Sequence, residues 1–425
     1  MSSGILAANT TSNYTVITPS DMDCLFEAAG TLINNPGTIP SETQDHLLES
    51  FLMPQISTIR TLLQQRQQRP GNHHNHHNHH EMPHHEMPIM IATIAMVLST
   101  IASLSKGFSK ADMDNPNIIT PAFKSLFLQA LQVSIISVQS LPTSLDVRSK
   151  SIMLVHRTIL LLEDDVLPHV AGLLLPMISS CKKEDLQEVV QLMNQLMIKF
   201  QGKVGAAIDA VLPAFLGRYA TLVPQAGEGS AAQIEAETLG VSKLYMLLLQ
   251  HTVSNGCEGV LVSPNNISSF TSVLGMMLLG ISAGDAPVKK SSLLFFAGLC
   301  KSCACDGDAV LRATFWNYVV KNVLVQAVQM MMDPVKFNVK DAQCSRVAAE
   351  AGGLLFCVLL RDPSGFGSFA ASLATFVHAA TGGGEEEGRG AGCAKALQAM
   401  RGSKSEANMK KALQQFLVAW GGSKK

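Results

Sequence analysis

The chain has 425 residues, 47% of them hydrophobic and only 15% charged, with a formal net charge of −1. It carries enough apolar side chain to bury a large core, but its length exceeds one compact core, so it is multidomain or a repeat array. A near-neutral balance excludes a uniformly basic nucleic-acid binder, because a polyanion partner then needs locally clustered Lys and Arg.

Residues 1–19 show no basic start followed by an apolar run, so no secretory signal is read there and a flexible N-terminus is expected. Nine cysteines at irregular spacing fit a reducing cytosolic or nuclear compartment. Ser20 is expected to cap a helix through Leu32, stopped at Asn35-Pro36-Gly37. Ser41 with Gln44 forms a capping box for the next helix, which Pro54 bends or restarts and which continues through Ile56, Ile59, Leu62 and Leu63. Residues 20–64 thus read as one helical hairpin. From 65 to 88 the chain turns to Gln, Arg, Asn and His, a low-complexity insert expected to remain a loose loop. Ile89–Leu104 is apolar, but its roughly 16 residues fall short of the roughly 20 a membrane span needs. It reads as a buried helix, and no membrane partner is expected.

HEAT-like repeats are expected over 89–224 and 234–381, with a linker at 225–233. A phrase occurs twice: Val166-Leu167-Pro168 with Gly172 following, and Val211-Leu212-Pro213 with Gly217 following. The offset is 213 − 168 = 45 residues, each copy opens an apolar helical stretch with Pro in its first turn, and a helical period of roughly 40–47 residues is that of HEAT or armadillo arrays. Thr120-Pro121 begins a similar stretch, Phe123-Leu126-Phe127-Ala130-Leu131. A helix is read over Val147–Leu162, and Leu186, Val189, Val190, Met193, Leu196, Met197 and Phe200 keep i, i+3, i+4, i+7 spacing without a fault. Further helices are read at Ile234–His251, Ser268–Ile281, Val288–Cys300 and Leu311–Met332; Gly259–Val262 is ambiguous between helix and strand. A Gly/Glu-rich linker is expected at 382–402, then a terminal amphipathic helix over 403–425, capped by Ser403 with Glu406. The fold class is therefore all-α, an α-solenoid of antiparallel helix hairpins, an architecture that presents long surfaces to macromolecules more often than pockets to small ones.

Chemistry is sparse. The tract His73, His74, His76, His77, His79, His80, His84, His85 offers imidazole ligands, but nothing in its period-three pattern fixes a geometry, and it reads as low complexity. Cys300, Cys303 and Cys305 lack a second ligand pair at zinc-finger distance and read as core thiols. Glu163, Asp164 and Asp165 precede a helix start, where acidic groups favour the dipole. His156 and His378 read as core histidines. No catalytic, metal or cofactor site is assigned, and the chain is not read as an enzyme. Basic residues, by contrast, recur at turns and helix ends: Lys106 and Lys110, Arg148 and Lys150, Lys182 and Lys183, Lys199 and Lys203. They are expected to form a basic rim across successive repeats; each taken singly also fits ordinary solvated charge.

Several stretches resemble a family. Ala102-Ser103-Leu104-Ser105-Lys106-Gly107-Phe108, His156-Arg157 with Leu161 to Pro168, Lys183 to Glu188, Asn194-Gln195-Leu196 with Lys199-Phe200, Asp341-Ala342-Gln343 and Met409-Lys410-Lys411-Ala412-Leu413 resemble the C-terminal HEAT repeats of exportin-T, in the same order, from about residue 89 onward. The resemblance implies a tRNA nuclear export receptor of the importin-β superfamily that shuttles between nucleus and cytoplasm and carries tRNA with Ran-GTP past nuclear pore proteins. Ran-GTP would then be held mainly by N-terminal repeats that have no counterpart here, and the chain would be a C-terminal fragment. Two alternatives stay open, a protein-binding helical scaffold and a metal-handling protein built on the histidine tract.

Overall fold

The computed structural model describes residues 18–35, 39–68, 86–108, 120–223, 230–302, 305, 307–333, 337–381 and 387–421. Among them the backbone forms seventeen α-helices and no strand. The chain runs through α1 (Pro19–Ile33), α2 (Ser41–Gln68), α3 (Glu86–Phe108), α4 (Pro121–Ser140), α5 (Leu145–Leu162) and α6 (Leu167–Ser180). It continues through α7 (Leu186–Phe200), α8 (Gly205–Leu222), α9 (Ala231–Ser254), α10 (Ile267–Ile281) and α11 (Ala286–Ser302). Then α12 (Ala309–Tyr318) passes through a π-helical turn, Val319–Val323, into α13 (Leu324–Met332). Last come α14 (Ala342–Arg361), α15 (Pro363–Thr381), α16 (Glu387–Arg401) and α17 (Glu406–Gly421). The chain divides into two compact units, Met1–His169 and Val170–Lys425.

In the first unit α1, α3 and α5 pack side by side as one row, and α2 packs on α4 as the other. α3 buries Ile94, Leu98, Ile101 and Leu104 completely, a helical stripe that needs a neighbour on either side. At 23 residues α3 is longer than the stretch read from sequence, and with α4 and α14 it is long and apolar enough to cross a membrane by length and composition alone. Here its apolar positions are covered by α1 and α5. α1 runs parallel to α3: Ser99 donates to Asp23 at 3.0 Å, Lys106 to Glu27 at 2.6 Å, and Asn34 to the Gly107 carbonyl at 3.3 Å. The start of α1 is capped by Thr18 rather than Ser20, in a capping box with Asp21, because Pro19 fills the first helical position.

In the second unit α7, α9, α11, α14 and α17 form the row, each packed on the next. Lys183 at the entrance to α7 pairs with Glu237 early in α9, Thr252 late in α9 donates to Met197 late in α7, and the Cys257 thiol reaches the Gln201 carbonyl at 3.4 Å. These helices are therefore parallel, as repeated hairpins require. Tyr245 stacks on Phe215, ring centroids 4.1 Å apart, and donates its hydroxyl to the Phe215 carbonyl at 2.8 Å.

The repeat itself is set at a different offset from the one the Val-Leu-Pro phrase suggests. Pro168 sits in the first turn of α6, but Pro213 is the ninth residue of α8. The equivalent points are Glu163 and Gln201, the C-caps of α5 and α7. Both have φ of 49°, and each opens a 3₁₀ turn. Their separation is 201 − 163 = 38 residues. At that offset Val166 matches Val204, Val170 matches Ile208, Leu173 matches Val211, Leu174 matches Leu212 and Met177 matches Phe215, all buried. Pro213 has no N–H for the carbonyl of Asp209 one turn back. Asn266, from the loop before α10, supplies the replacement: its Nδ2 donates to that carbonyl at 3.3 Å and to the Asp209 carboxylate at 2.8 Å, and Asn265 adds a bond at 2.6 Å.

Other boundaries shift. α2 passes through Pro54 without a break and reaches Gln68, and α3 starts at Glu86, so helix takes both ends of the expected 65–88 insert; residues 69–85, with the histidine tract, lie outside the described residues. Ser230 caps α9, three residues before the expected linker ends. The reading of 382–402 as a linker is overturned by α16. Cys393, Ala396, Leu397 and Met400 fall at i, i+3, i+4, i+7 and are buried, chiefly against α17; the surrounding glycines concealed this stripe. α17 is capped by Ser405, whose hydroxyl accepts from the Asn408 N–H at 3.2 Å, rather than by Ser403. Gly259–Val262 belongs to a 3₁₀ turn.

Candidate nucleic-acid interface

The eight cations expected along one rim meet different fates. Arg148 is 1% exposed and donates through Nη1 to the Pro142 carbonyl, so it holds the α4–α5 turn and cannot face a phosphate. Burying a guanidinium is tolerated when it is hydrogen-bonded, and this one serves as an internal strut. Lys106 is paired with Glu27 and Lys183 with Glu237 at 2.5 Å, each bridging to the neighbouring helix of its row. Lys150 is half-buried, while Lys182, Lys199 and Lys203 are exposed; Lys110 lies outside the described residues.

Within the second unit the exposed lysines do not form a single line. Lys182 precedes α7, whereas Lys199 lies in its last turn and Lys203 in the 3₁₀ turn that follows. The helix has 15 residues, about 22 Å at the standard rise, so the two groups occupy opposite ends of the row. Lys199 and Lys203 lie four residues apart at one end of α7, and both are exposed.

Sequence reasoning also missed how many lysines tie repeats together. Lys243 pairs with Asp285 at 2.6 Å, Lys290 with Glu350 at 3.7 Å and Lys301 with Glu406 at 3.8 Å, each between neighbouring hairpins of the second unit. In the first unit Lys124 reaches Asp165 at 3.2 Å and Glu163 at 3.8 Å, which gives the acidic cluster a partner beyond the helix dipole. The detectable signal was a Lys in one repeat and a carboxylate about 40–60 residues on, which a reading of helix ends alone passes over.

Two histidines, His251 and His156, are held toward the neutral form. Burial lowers the pKa of His251 below its usual 6.5, and Asn255 donates to its Nδ1 at 3.3 Å, so that nitrogen accepts and the ring is neutral. His156 is lowered by burial and then by the charge of Arg157. A depressed histidine pKa means that the unfolded chain takes up the proton first. Its stability contribution is complete above the unfolded pKa of 6.5 and is lost as pH falls below it. Thermal melts at about pH 7.5 and 5.5 are expected to show a lower Tm at the acid value, and His251→Gln is expected to shrink the difference. His378, expected in the core, is exposed.

Two catalytic spellings went unrecognised in the sequence. Gly280-Ile281-Ser282-Ala283-Gly284 matches G-x-S-x-G, but Ser282 is the C-cap of α10 with no strand before it, and its hydroxyl accepts from Gln326 at 2.6 Å. A nucleophile elbow needs a strand-to-helix turn. His80-Glu81-Met82-Pro83-His84 matches H-E-x-x-H and lies outside the described residues. Cys300 and Cys305 are buried, Cys303 lies outside the described residues, and burial pushes the Cys300 thiol well up.

Within each unit, helices packed side by side in parallel rows and joined by repeated hairpins, with lysines at the hairpin ends, define a helical-repeat solenoid. The solved structure of importin-13 in its cytosolic state shares this fold, with a TM-score of 0.56 and 10% identity over 97% of this chain and 42% of that one. A model of the exportin-T family matches residues 18–376, and the chain belongs to that family. Exportin-T of Arabidopsis thaliana is 22% identical over 335 residues, 77% of this chain and 32% of that protein. Exportin-T of Danio rerio is 23% identical over 350 residues, 81% and 34%, and that of Aspergillus terreus 25% over 351 residues, 78% and 32%. The chain thus spans about a third of the length of the relatives it matches. The family match begins at α1, well before residue 89, and ends within α15, so α16 and α17 lie beyond it.

Proposed function

We propose that this chain works as part of a nuclear export receptor that holds tRNA by its phosphate backbone together with Ran-GTP, passes nuclear pore proteins and shuttles between nucleus and cytoplasm. The observation that carries the reading is the exportin-T family match over residues 18–376 on a solenoid with exposed lysines at its hairpin ends. Folded RNA is recognised by shape and backbone, and Lys199 with Lys203 supplies phosphate contacts at one end of α7. The role is binding and transport rather than catalysis.

The test is filter binding of tRNA with Ran-GTP present across roughly 50–200 mM salt, where each phosphate contact contributes about 0.7–0.9 to the log-log slope. Lys199→Glu/Lys203→Glu is expected to weaken binding and to reduce the slope by roughly 1.4–1.8. An unchanged slope removes this edge from the RNA surface. A second reading, a protein-binding scaffold, is favoured by the lysines already consumed in inter-repeat pairs and by the net charge of −1; it predicts no tRNA retention by either protein.

A further inference from the structure

In the second unit α12 and the end of α14 border an open cavity of about 490 Å³ lined by Arg312, Ala313, Trp316, Leu360, Arg361 and Asp362. None of the lysines assigned above lines it, and its size falls in the range of small-ligand sites. Arg312 and Trp316 stand four residues apart on α12 and so share one helix face. The π-helical turn Val319–Val323 follows at once. The wider turn changes the register between the two halves of the long helix: α13 buries Leu324, Ala327, Val328 and Met331, while α12 keeps Arg312 and Trp316 on the cavity. Such π turns concentrate at functional sites. Arg361 comes from the last turn of α14, and Leu360 beside it is 63% exposed. Asp362 lines the cavity as well, and its Oδ1 accepts from the Ser364 hydroxyl and the Gly365 N–H, both at 3.0 Å, which caps α15.

Two guanidinium groups and one indole in an open cavity suit a ligand that carries an anion and a flat ring together. Guanidinium forks hold phosphate oxygens in pairs, and an indole face stacks any base. We propose that this cavity binds an unpaired nucleotide of RNA, with the base on Trp316 and its phosphates on Arg312 and Arg361. The proposal deepens the RNA-receptor reading and rests on it.

The chain has two tryptophans, so Trp420→Phe leaves Trp316 as the only indole emitter. Titration with the single-stranded tetranucleotides rA4 and rU4 is expected to quench that emission saturably, and Arg312→Gln/Arg361→Gln to weaken the binding about tenfold or more. Trp420 donates to the Met332 carbonyl at 2.9 Å, so its removal carries a folding risk. Anisotropy of fluorescein-labelled rA4 on the otherwise unaltered chain, compared with Trp316→Leu, gives the second measurement. A blunt-ended RNA duplex or a phosphotyrosine peptide that competes equally well overturns the nucleotide assignment, as does rA4 binding that Trp316→Leu and the arginine pair leave unchanged. Binding of rA4 without any tRNA retention sinks the transport reading and leaves the cavity assignment standing; tRNA retention without rA4 binding does the reverse.

Discussion

Gly107→Ala is expected to cost the first unit about 3 kcal/mol or more, whereas Gly217→Ala is expected to stabilise the second unit by about 0.5–1 kcal/mol. A Cβ placed on Gly107 would lie 2.3 Å from the Thr31 nitrogen, and one on Gly30 would lie 2.2 Å from the Leu104 carbonyl oxygen. Both obstacles are backbone atoms, so no rotamer change relieves them, and the helices have to separate. Overpacking a core costs about 1–3 kcal/mol when side chains can yield. Here separation also pulls apart the contacts that depend on the approach, namely Asn34 with the Gly107 carbonyl, Lys106 with Glu27 and Ser99 with Asp23. Gly217 sits inside α8 with nothing within 4 Å of the added atom. Alanine there gains helix propensity and meets no obstacle. Urea unfolding followed by circular dichroism measures both variants, and a Gly107→Ala protein within about 1 kcal/mol of the parent would show that the crossing is looser than described.

Much of the fold was legible because burial repeats with the helical period. The seven apolar positions of α7 from Leu186 to Phe200 are all buried, as are Phe123, Leu126, Phe127, Ala130 and Leu131 of α4. Ser144 caps α5 where the sequence breaks at Pro142. The repeat offset was misread because a three-residue identity stood out more than a pattern of similar sizes. Val166/Val204 and Met177/Phe215 match in burial rather than in spelling. The family likeness was legible too, although α1 and α2 belong to the match and α16 and α17 do not.

The charged residues were the least legible part. A lysine at a helix end looks alike in sequence whether it faces solvent, as Lys199 does, or a carboxylate of the next hairpin, as Lys183 does. Which applies is decided by residues about 50 positions away. The cavity residues went unnoticed for the same reason, since Trp316 and Arg361 come together only when α12 packs near the end of α14.

Arg148 shows what is at stake in that distinction. Arg148→Ala is expected to destabilise the first unit by about 2–4 kcal/mol while leaving tRNA affinity unchanged in protein that remains folded. The side chain is among the largest fully buried ones, on a helix whose Val147, Ser151 and Ile152 are buried too, so its removal leaves a cavity and takes away the hydrogen bond to the Pro142 carbonyl. Lys199→Glu should behave in the opposite way: the residue is exposed, and such a substitution shifts stability by about 0.5 kcal/mol or less. A charge-reversal variant that included Arg148 along with the lysines would therefore lose binding by unfolding, and the loss would be mistaken for a phosphate contact. Thermal melts and tRNA titrations on the same samples, below the melting range of the weaker variant, separate the two effects. A folded Arg148→Ala protein with a smaller salt slope would return that residue to the RNA surface and would contradict its burial.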